Sequence, residues 1–376
     1  MTDLTTVKMA QLLAGYSTQV LKGDLAIITG DENAMPLYKE FFRYVFRAGG
    51  YPHYSTLLPG YYDAMGTHPL DEIFLLEGKD DQLRFVSPLS QVIADRFDVL
   101  VIVLAPQNLR TLRRIKSDVA SLRSAATASI MNRISQRMSD GTLKRCIVAY
   151  PTNALAQQAN MSLSDYSEFL FASCHLNEDD PCKAWQTISK AQEKIIKEIA
   201  QYKKIRIVAE DTDLRLSVDG RTWINCDGKF NMPDGEIFSG PVEDSVEGHI
   251  KISFPGILSG HEIKNIHLTF HNGKVVTATA SSGEDLLRET IATDPGASYL
   301  GELGIGTNYQ IRQFTGLMLF DEKIGGTIHI ALGEGLPETG SKNISGIHWD
   351  MVCDLRNDGE IHADDEVIYR NGKFLF

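Results

Sequence analysis

The stretch FDVLVIVLAP, residues 97–106, decides the fold of the first half of the chain. An uninterrupted Val, Ile and Leu run without polar alternation is typical of a strand buried on both faces of a parallel sheet. Two shorter apolar runs, DLAIITG at 24–30 and CIVAYP at 146–151, have the same character. Helical patterns lie between and after these runs, at 36–50, 109–137, 162–176 and 181–202. Alternation of strand and helix predicts an N-terminal doubly wound α/β domain.

The pattern changes near residue 204, where apolar residues begin to recur at every second position. The turn sequences VDGR, HNGK and RNGK punctuate this part of the chain, and such dipeptide turns indicate β-hairpins. One helical segment, 283–294, interrupts the strands. We therefore predict two domains, an α/β domain over 1–204 and a mostly antiparallel β (α+β) domain over 205–376.

Composition and charge exclude several classes of function. The chain has 376 residues and a net charge of −12, so nucleic-acid phosphates and anionic membranes would be repelled. Its five cysteines form no C-x-x-C pair, which argues against a disulfide framework and a thiolate zinc site. No apolar run approaches the roughly 18 residues that a membrane span needs, and the N-terminal segment lacks a signal-peptide pattern. We expect a cytoplasmic protein without nucleic-acid or membrane partners.

The segment SGIHWDMVCDLRNDG, residues 345–359, combines a core strand with polar groups. Side chains on a strand alternate between two faces, so Trp349 and Met351 would point into a core. His348 and Asp350 would then share the opposite face. A nitrogen donor and an oxygen donor on one strand face can reach a common centre, as the ligands of a metal ion do.

Further imidazole and carboxylate groups occur beside Gly or apolar residues in the same half. His329 lies between Ile328 and Ile330, and an imidazole enclosed in so apolar a strand needs a polar partner. Residue chemistry alone leaves two interpretations open: a site for first-row divalent ions, or a buried histidine with a polar partner and separate solvated carboxylates. The candidate residues for a common site are Glu236, Glu302, Glu322, His329, His348 and Asp350.

Long segments of the chain resemble the aminopeptidase T/S (thermophilic-type leucyl aminopeptidase) family of metallopeptidases. The resemblance covers nearly the whole chain. The segments that carry it are CIVAYPTNALAQQANMSLSDYSEFLF (146–171), RTWINCDGKFNMPDGEIFSGPVEDSVEGHI (221–250), GELGIGTNYQIRQF (301–314), LFDEKIGGTIHIALG (319–333) and PETGSKNISGIHWDMV (337–352).

The resemblance implies a pair of divalent ions, Zn²⁺, Co²⁺ or a similar ion, in the C-terminal domain. The family's metal-binding positions fall on Glu236, Glu302, His329, His348 and Asp350. A further acidic position near the site falls on Glu322. The general base is expected to be Glu302 or Glu322, and sequence does not separate the ligand from the base.

This resemblance also implies a reaction, which is removal of N-terminal residues from short peptides. Two ions that share a water can hold it as hydroxide near neutral pH, and one ion can bind the free α-amine of the substrate. The other can polarise the scissile carbonyl and stabilise the oxyanion, while a carboxylate carries the proton to the leaving amine. The family further implies a homodimer.

One position departs from the family pattern. The family usually has a tyrosine seven residues after the histidine of the ALG segment, where this chain has Leu336 in GLPETG. Loss of one oxyanion donor can lower kcat by about 10²–10³. Tyr299 and Tyr309 are conceivable substitutes. The alternatives are a metal-binding homo-oligomeric scaffold of weak or absent activity, and another metal-dependent amidohydrolase.

Overall fold

The computed structural model describes residues 3–56, 69–258 and 260–376. Within these ranges the chain divides into two compact units. The first comprises residues 1–184 and 228–233, and the second comprises 185–227 and 234–376. The domain boundary expected between residues 204 and 205 stays a prediction. A division into compact units does not test which segments fold as independent domains.

The helices of the described residues occur mainly in the first unit. They are α1 (Leu4–Leu12), α2 (Met35–Ala48), α3 (Pro69–Glu77), α4 (Asp80–Arg84), α5 (Pro88–Arg96), α6 (Ser117–Ser139), α7 (Asn153–Gln158), α8 (Leu163–Ser173), α9 (Pro181–Ile199), α10 (Glu284–Ile291) and α11 (Met318–Asp321). A π-helical turn covers Leu13–Ser17, and short 3₁₀ turns cover Glu32–Ala34 and Pro337–Thr339.

The strands form one parallel sheet and three antiparallel sheets. They are β1 (Leu25–Gly30), β2 (Tyr51–Thr56), β3 (Val99–Leu104), β4 (Lys144–Ala149), β5 (Lys204–Ala209), β6 (Thr212–Ser217), β7 (Ile224–Cys226), β8 (Asn231–Met232), β9 (Glu236–Ser239), β10 (Glu247–Lys251), β11 (Gly256–Leu258), β12 (His261–Ile263), β13 (His267–His271), β14 (Lys274–Thr279), β15 (Leu300–Gly306), β16 (Thr327–Gly333), β17 (His348–Asp354), β18 (Glu360–Ala363), β19 (Glu366–Arg370) and β20 (Lys373–Phe374).

The first unit contains the parallel sheet, in the strand order β2-β1-β3-β4-β8. Every residue of β3 is buried, as its continuous apolar sequence predicts. The chain moves from β1 first to one side and then to the other, which is the doubly wound arrangement. The predicted fold class is therefore confirmed.

The predicted helices are present, with one displaced start. Ser162 caps α8 by accepting a hydrogen bond from the backbone N–H of Asp165 at 3.1 Å. The helix expected from residue 109 begins only at Ser117, because the preceding residues form turns in which Asn108 accepts from the N–H of Arg110. Among the described residues, no helix combines the length and the apolar character that crossing a membrane requires.

The second unit is built from antiparallel sheets. The largest has the order β14-β13-β10-β6-β5-β18-β19-β20, and another has the order β17-β16-β15-β9-β7. Strands β11 and β12 pair separately. The apolar faces of the two large sheets contribute to one hydrophobic core, which contains Leu214, Leu303, Ile328 and Trp349.

Two of the three predicted hairpins are confirmed. Asn272 and Gly273 connect β13 to β14, and Asn371 and Gly372 connect β19 to β20, all four residues with positive φ as a type I′ turn requires. The prediction for VDGR is wrong. A turn does form there, with Arg221 N–H donating to the Val218 carbonyl at 3.0 Å, but it leads from β6 to β7, which belongs to another sheet.

Candidate metal centre

Strands β9, β15, β16 and β17 place five of the six candidate residues, all but Glu322, on one face of their sheet. The cross-strand register aligns Glu302 with Ala331 and Ala331 with Asp350, while Gly304 aligns with His329. Core-facing neighbours such as Leu303 and Ile330 occupy the alternate positions. The period-2 pattern of these strands therefore separates an apolar face from a face that carries donors.

Both histidines are fixed by their Nδ1 atoms. His329 Nδ1 donates a hydrogen bond to the Glu322 carbonyl at 3.0 Å, and His348 Nδ1 donates to the Glu334 carbonyl at 2.8 Å. A carbonyl can only accept, so each Nδ1 carries a proton and each ring is oriented. Metal-binding histidines are commonly held in this way, with the second ring nitrogen left to face the ion.

The two Nε2 atoms face carboxylates. His329 Nε2 lies 3.3 Å from Glu236 Oε2 and 3.3 Å from Glu302 Oε1. His348 Nε2 lies 3.2 Å from Glu302 Oε2 and 3.6 Å from Asp350 Oδ1. Glu302 therefore contacts both imidazoles, one with each of its oxygens.

The chain segment after α11 adds a third glutamate and a lysine. Lys323 is fully buried; its Nζ lies 3.4 Å from Glu236 Oε1 and forms a close ion pair with Glu322. The adjacent Asp321 faces elsewhere, because it accepts hydrogen bonds from the N–H and hydroxyl of Thr315 at 2.7 and 2.9 Å. Of the two acidic residues in LFDEK, the structure brings Glu322 to the cluster.

A side chain of α9 fixes the backbone of Glu236 by hydrogen bonding. Gln192 Nε2 donates to the Glu236 carbonyl at 2.7 Å and to the Cys226 carbonyl at 3.0 Å. Gln192 is itself buried, at 1% exposure. The strand that presents the Glu236 side chain is thus fixed by hydrogen bonds that do not use that side chain.

A glycine makes room for the His329 ring. A Cβ at Gly304 would lie 1.9 Å from His329 Cε1 and 2.1 Å from its Nε2, far inside van der Waals contact. The ring therefore lies directly over the Gly304 backbone. Any side chain at position 304 would displace the imidazole from the cluster.

Burial and charge shift the pKa values of the cluster in opposite directions. Burial raises the pKa of Glu236 to about 8, although Lys323 and His329 oppose the shift. Burial also acts to raise the pKa of Glu302, but hydrogen bonds from His329 and His348 outweigh it and hold the pKa at about 2.

The imidazoles respond to the same carboxylates. Burial lowers the pKa of His329, but Glu236 and Glu302 outweigh it and raise the pKa to about 10. For His348, burial is likewise outweighed, chiefly by Asp350, and the pKa lies well above its usual value. The carboxylates thus favour the charged form of both imidazoles, and each Nε2 faces them in the direction in which a metal ligand would direct its lone pair.

These residues fit divalent metal ions. Ligand atoms of Glu302, His348 and Asp350 lie within 4.8 Å of one another, as do those of Cys226, Asp234 and Glu236. Glu236 Oε2 is buried and makes no hydrogen bond, which is costly for a polar atom unless a cation satisfies it. Imidazole nitrogens and carboxylate oxygens form the mixed donor set typical of first-row divalent ions.

The inner side chains of the cluster are buried, and its outer side chains, which we call the rim, are partly exposed. The side chains of Glu236, Glu302 and His329 are at most 6% exposed, whereas that of His348 is 29% exposed. The side chains of Glu322 and Asp350 are intermediate, at 16% and 14%. A substrate would therefore meet His348, Asp350 and Glu322 before the deeper groups.

The structure brings together all the residues that the sequence nominated. Glu236, Glu302, Glu322, His329, His348 and Asp350 are joined by the contacts above, while their roles as ligands or catalytic groups stay predictions. Sequence reasoning missed Lys323 and Gly304. The signals that were available are the lysine in the DEK motif and the alternation of glycine with apolar residues in LGELGIG.

The two candidate phenols are engaged in other contacts. The Tyr309 hydroxyl donates to the Gly372 carbonyl at 2.8 Å, and the Tyr299 ring lies 5.1 Å below the Lys274 ammonium. Leu336 is half-buried and begins the short turn Pro337–Thr339, where its carbonyl accepts from the N–H of Thr339 at 3.0 Å.

A parallel α/β unit followed by a β unit with a buried carboxylate and imidazole cluster defines a candidate metal-dependent hydrolase. The chain belongs to the thermophilic metalloprotease family (M29), whose sequence profile matches residues 3–374. The predicted resemblance to the aminopeptidase T/S family is thereby confirmed, since the relatives of the chain have these names.

Among the relatives, aminopeptidase AmpS from Bacillus subtilis (strain 168) is 32% identical over 243 residues, or 56% of this chain and 58% of AmpS. Aminopeptidase 2 from Geobacillus stearothermophilus is 28% identical over 299 residues, or 69% and 71% of the two chains. The match to AmpS thus spans less than two thirds of that protein. Wild-type AmpT from Thermus thermophilus has the same fold, with a TM-score of 0.83 over 99% of both chains at 20% identity.

Proposed function

We propose that this protein is a metal-dependent aminopeptidase that removes N-terminal residues from short peptides. Two divalent ions, Zn²⁺, Co²⁺ or a similar ion, would be held by Glu236, Glu302, His329, His348 and Asp350. The observation that carries the proposal is the orientation of the two histidines, whose Nδ1 atoms donate to backbone carbonyls while their Nε2 atoms face carboxylates. Membership of a metalloprotease family supports the same chemistry.

Two bound divalent ions would supply Lewis acidity and lower the pKa of a water molecule toward neutrality. Glu302 contacts both imidazoles and is suited to bridge the two ligand groups. Glu322 lies at the rim and has no side-chain hydrogen bond to either imidazole, so we assign it the proton transfer from water to the leaving amine.

Peptide hydrolysis tests this proposal directly. The purified protein should release the first residue of unblocked di- and tripeptides and leave the N-acetylated forms of the same peptides intact. Chelation should abolish the release, and added Zn²⁺ or Co²⁺ should restore it. Liquid chromatography of the products is the measurement.

Other results would favour the alternatives. Equal cleavage of blocked and unblocked peptides would indicate another metal-dependent amidohydrolase. Binding of metal without any hydrolysis would indicate the scaffold, a function favoured by Leu336 at the position of the family's tyrosine.

Introducing a phenol at position 336 should raise activity if a missing oxyanion donor limits the reaction. We expect Leu336→Tyr to increase kcat, by up to about 10²–10³ if the hydroxyl reaches the oxyanion. Leu336→Phe is the matched control, since it adds the ring without the hydroxyl and should not increase kcat. Steady-state kinetics on one unblocked peptide measures both variants, and an unchanged kcat in Leu336→Tyr would show that another group serves the oxyanion.

We also propose a homodimer in the cytoplasm. Helices α3 and α5, together with the residue that follows α4, expose six large apolar side chains, and we take these as the candidate dimer interface, since contiguous exposed apolar patches mark interaction sites. These residues are Leu70, Ile73, Leu76, Phe85, Leu89 and Val92. The five cysteines, all in the described part of the chain, form no disulfide, which is typical of a reducing compartment. Sedimentation equilibrium distinguishes a dimer from a monomer.

A further inference from the structure

Lys323 differs from the other members of the described cluster because its side chain is fully buried, lies between carboxylates and, as an ammonium, has no lone pair for a metal ion. Its Nζ is surrounded by negative charge: Glu236 Oε1 at 3.4 Å, a close ion pair with Glu322, and the electrostatic influence of Asp234. The side chain is fully buried, so water does not solvate the ammonium. A buried ammonium persists only when carboxylates compensate it, and here the compensating groups are a proposed metal ligand, Glu236, and the proposed proton-transfer group, Glu322.

The positive charge lies on one side of the cluster. The Lys323 ammonium is paired with Glu236 and Glu322, which also surround His329. On the other side, the ion-pair partners found for Glu302 and Asp350 within the described ranges are imidazoles, which can themselves become ligands. A metal ion that binds on the first side would therefore compete with the Lys323 ammonium for the carboxylates. A metal ion that binds on the second side would meet no such ammonium.

We propose that Lys323 is a built-in counter-cation that makes the two metal positions unequal. The position at Glu302, His348 and Asp350 fills first, and the position at Glu236 and His329 fills second and more weakly. This inference rests on the proposed function, and it concerns how the chain itself balances charge at that site. Groups adjacent to metal ligands typically change metal affinity by roughly 10–100-fold, which sets the scale of the expected difference.

The same ammonium should stabilise the metal-free protein. Glu236 and Glu322 would repel each other without it, since the charge of Glu322 disfavours the ionised form of Glu236. Lys323 would thus replace part of the charge that the second ion supplies. Its removal should destabilise the metal-free form and make the protein depend more strongly on metal, because a ligand that binds only the folded state stabilises that state.

The test is metal titration of the full chain and of Lys323→Met, which keeps an unbranched side chain one atom shorter and removes its charge. Isothermal titration calorimetry with Zn²⁺ or Co²⁺ should show two unequal steps in the natural protein. In Lys323→Met the second step should tighten by roughly 10–100-fold while the first changes little. The melting temperature of the metal-free variant should fall, and the gain on metal addition should grow. Lys342→Met, an exposed position, is the matched control and should behave like the natural protein.

A second step that is unchanged or weaker in folded Lys323→Met would overturn the proposal. A measurement on the natural protein covers the case in which the variant does not fold. Crystals loaded with one equivalent of Co²⁺ should show anomalous density at Glu302, His348 and Asp350. Density at Glu236 and His329, or equally at both positions, would overturn the inference.

Different results would contradict the inference about Lys323 and the proposed function of the protein. Two equal binding steps in a protein that hydrolyses unblocked peptides would overturn only the role of Lys323. A protein that binds no divalent ion would overturn the proposed function together with it.

Discussion

Replacement of Glu302 by glutamine is expected to lower kcat/KM for an unblocked peptide by about 10²–10⁴. The Glu302 carboxylate is the group that contacts both imidazoles, at 3.3 Å from His329 and 3.2 Å from His348. Glutamine keeps the shape of the side chain but loses its charge. One end of the amide would also present an N–H group where the carboxylate has an acceptor. The variant should therefore bind less metal and lose activity without losing its fold.

Three measurements separate these effects: steady-state kinetics, metal content by mass spectrometry, and near-ultraviolet circular dichroism. Glu338→Gln is the matched control, since Glu338 is exposed in the loop between β16 and β17. It should retain full activity and metal. Activity close to the natural level in Glu302→Gln would rule out Glu302 both as a bridging ligand and as a base.

Local patterns in the sequence predicted the elements that depend on neighbouring residues. The run 99–104 could only be a fully buried strand, and the Asn-Gly pairs at 272–273 and 371–372 favour positive φ at both turn positions. The hairpin prediction for VDGR was wrong because a turn sequence specifies a change of chain direction and not the strand with which the following segment pairs. At Val218–Arg221 the chain turns and then joins a different sheet, since strand pairing depends on distant residues.

The faces of the site strands were predictable from period-2 alternation. Trp349 and Met351 lie in the core, and His348 and Asp350 lie on the opposite face, as the sequence predicts. Their meeting with Glu236 was not predictable from spacing. Glu236 and His348 are far apart along the chain, and the register of three strand pairs brings them to one surface. Only the family resemblance indicated this proximity.

Lys323 shows why the usual exposure of a residue type does not predict its burial at the candidate site. A lysine in a loop is ordinarily solvated, and this one is fully buried because carboxylates surround it. One compensating charge, Glu322, is adjacent in the DEK motif, but the other, Glu236, comes from a distant strand, so a local window contains only part of the signal. The burial of Lys323 depends on the carboxylates of the cluster, and the cluster depends on the strand pairing of the sheet.

Replacement of Gly304 by alanine is expected to disable the site through one methyl group. The new Cβ would lie 1.9 Å from His329 Cε1, so the imidazole must leave its place over the β15 backbone. The ring is 1% exposed and held by the Glu322 carbonyl, and overpacking of this kind typically costs about 1–3 kcal/mol. We expect a corresponding fall in the free energy of unfolding, with loss of metal at the His329 position and of peptide hydrolysis.

Urea unfolding and metal analysis measure these two losses. Gly346→Ala is the matched control, because its Cβ would meet only Asp294 Oδ2, at an ordinary 3.5 Å. A double variant, Gly304→Ala with His329→Ala, isolates the cause: removing the ring removes the clash, so part of the lost stability should return while activity stays absent. Such non-additivity is expected of two residues in direct contact. If the losses of stability from the two substitutions are additive, the effect of Gly304→Ala does not arise from a clash with the His329 ring. The small residue at position 304 then has another structural reason.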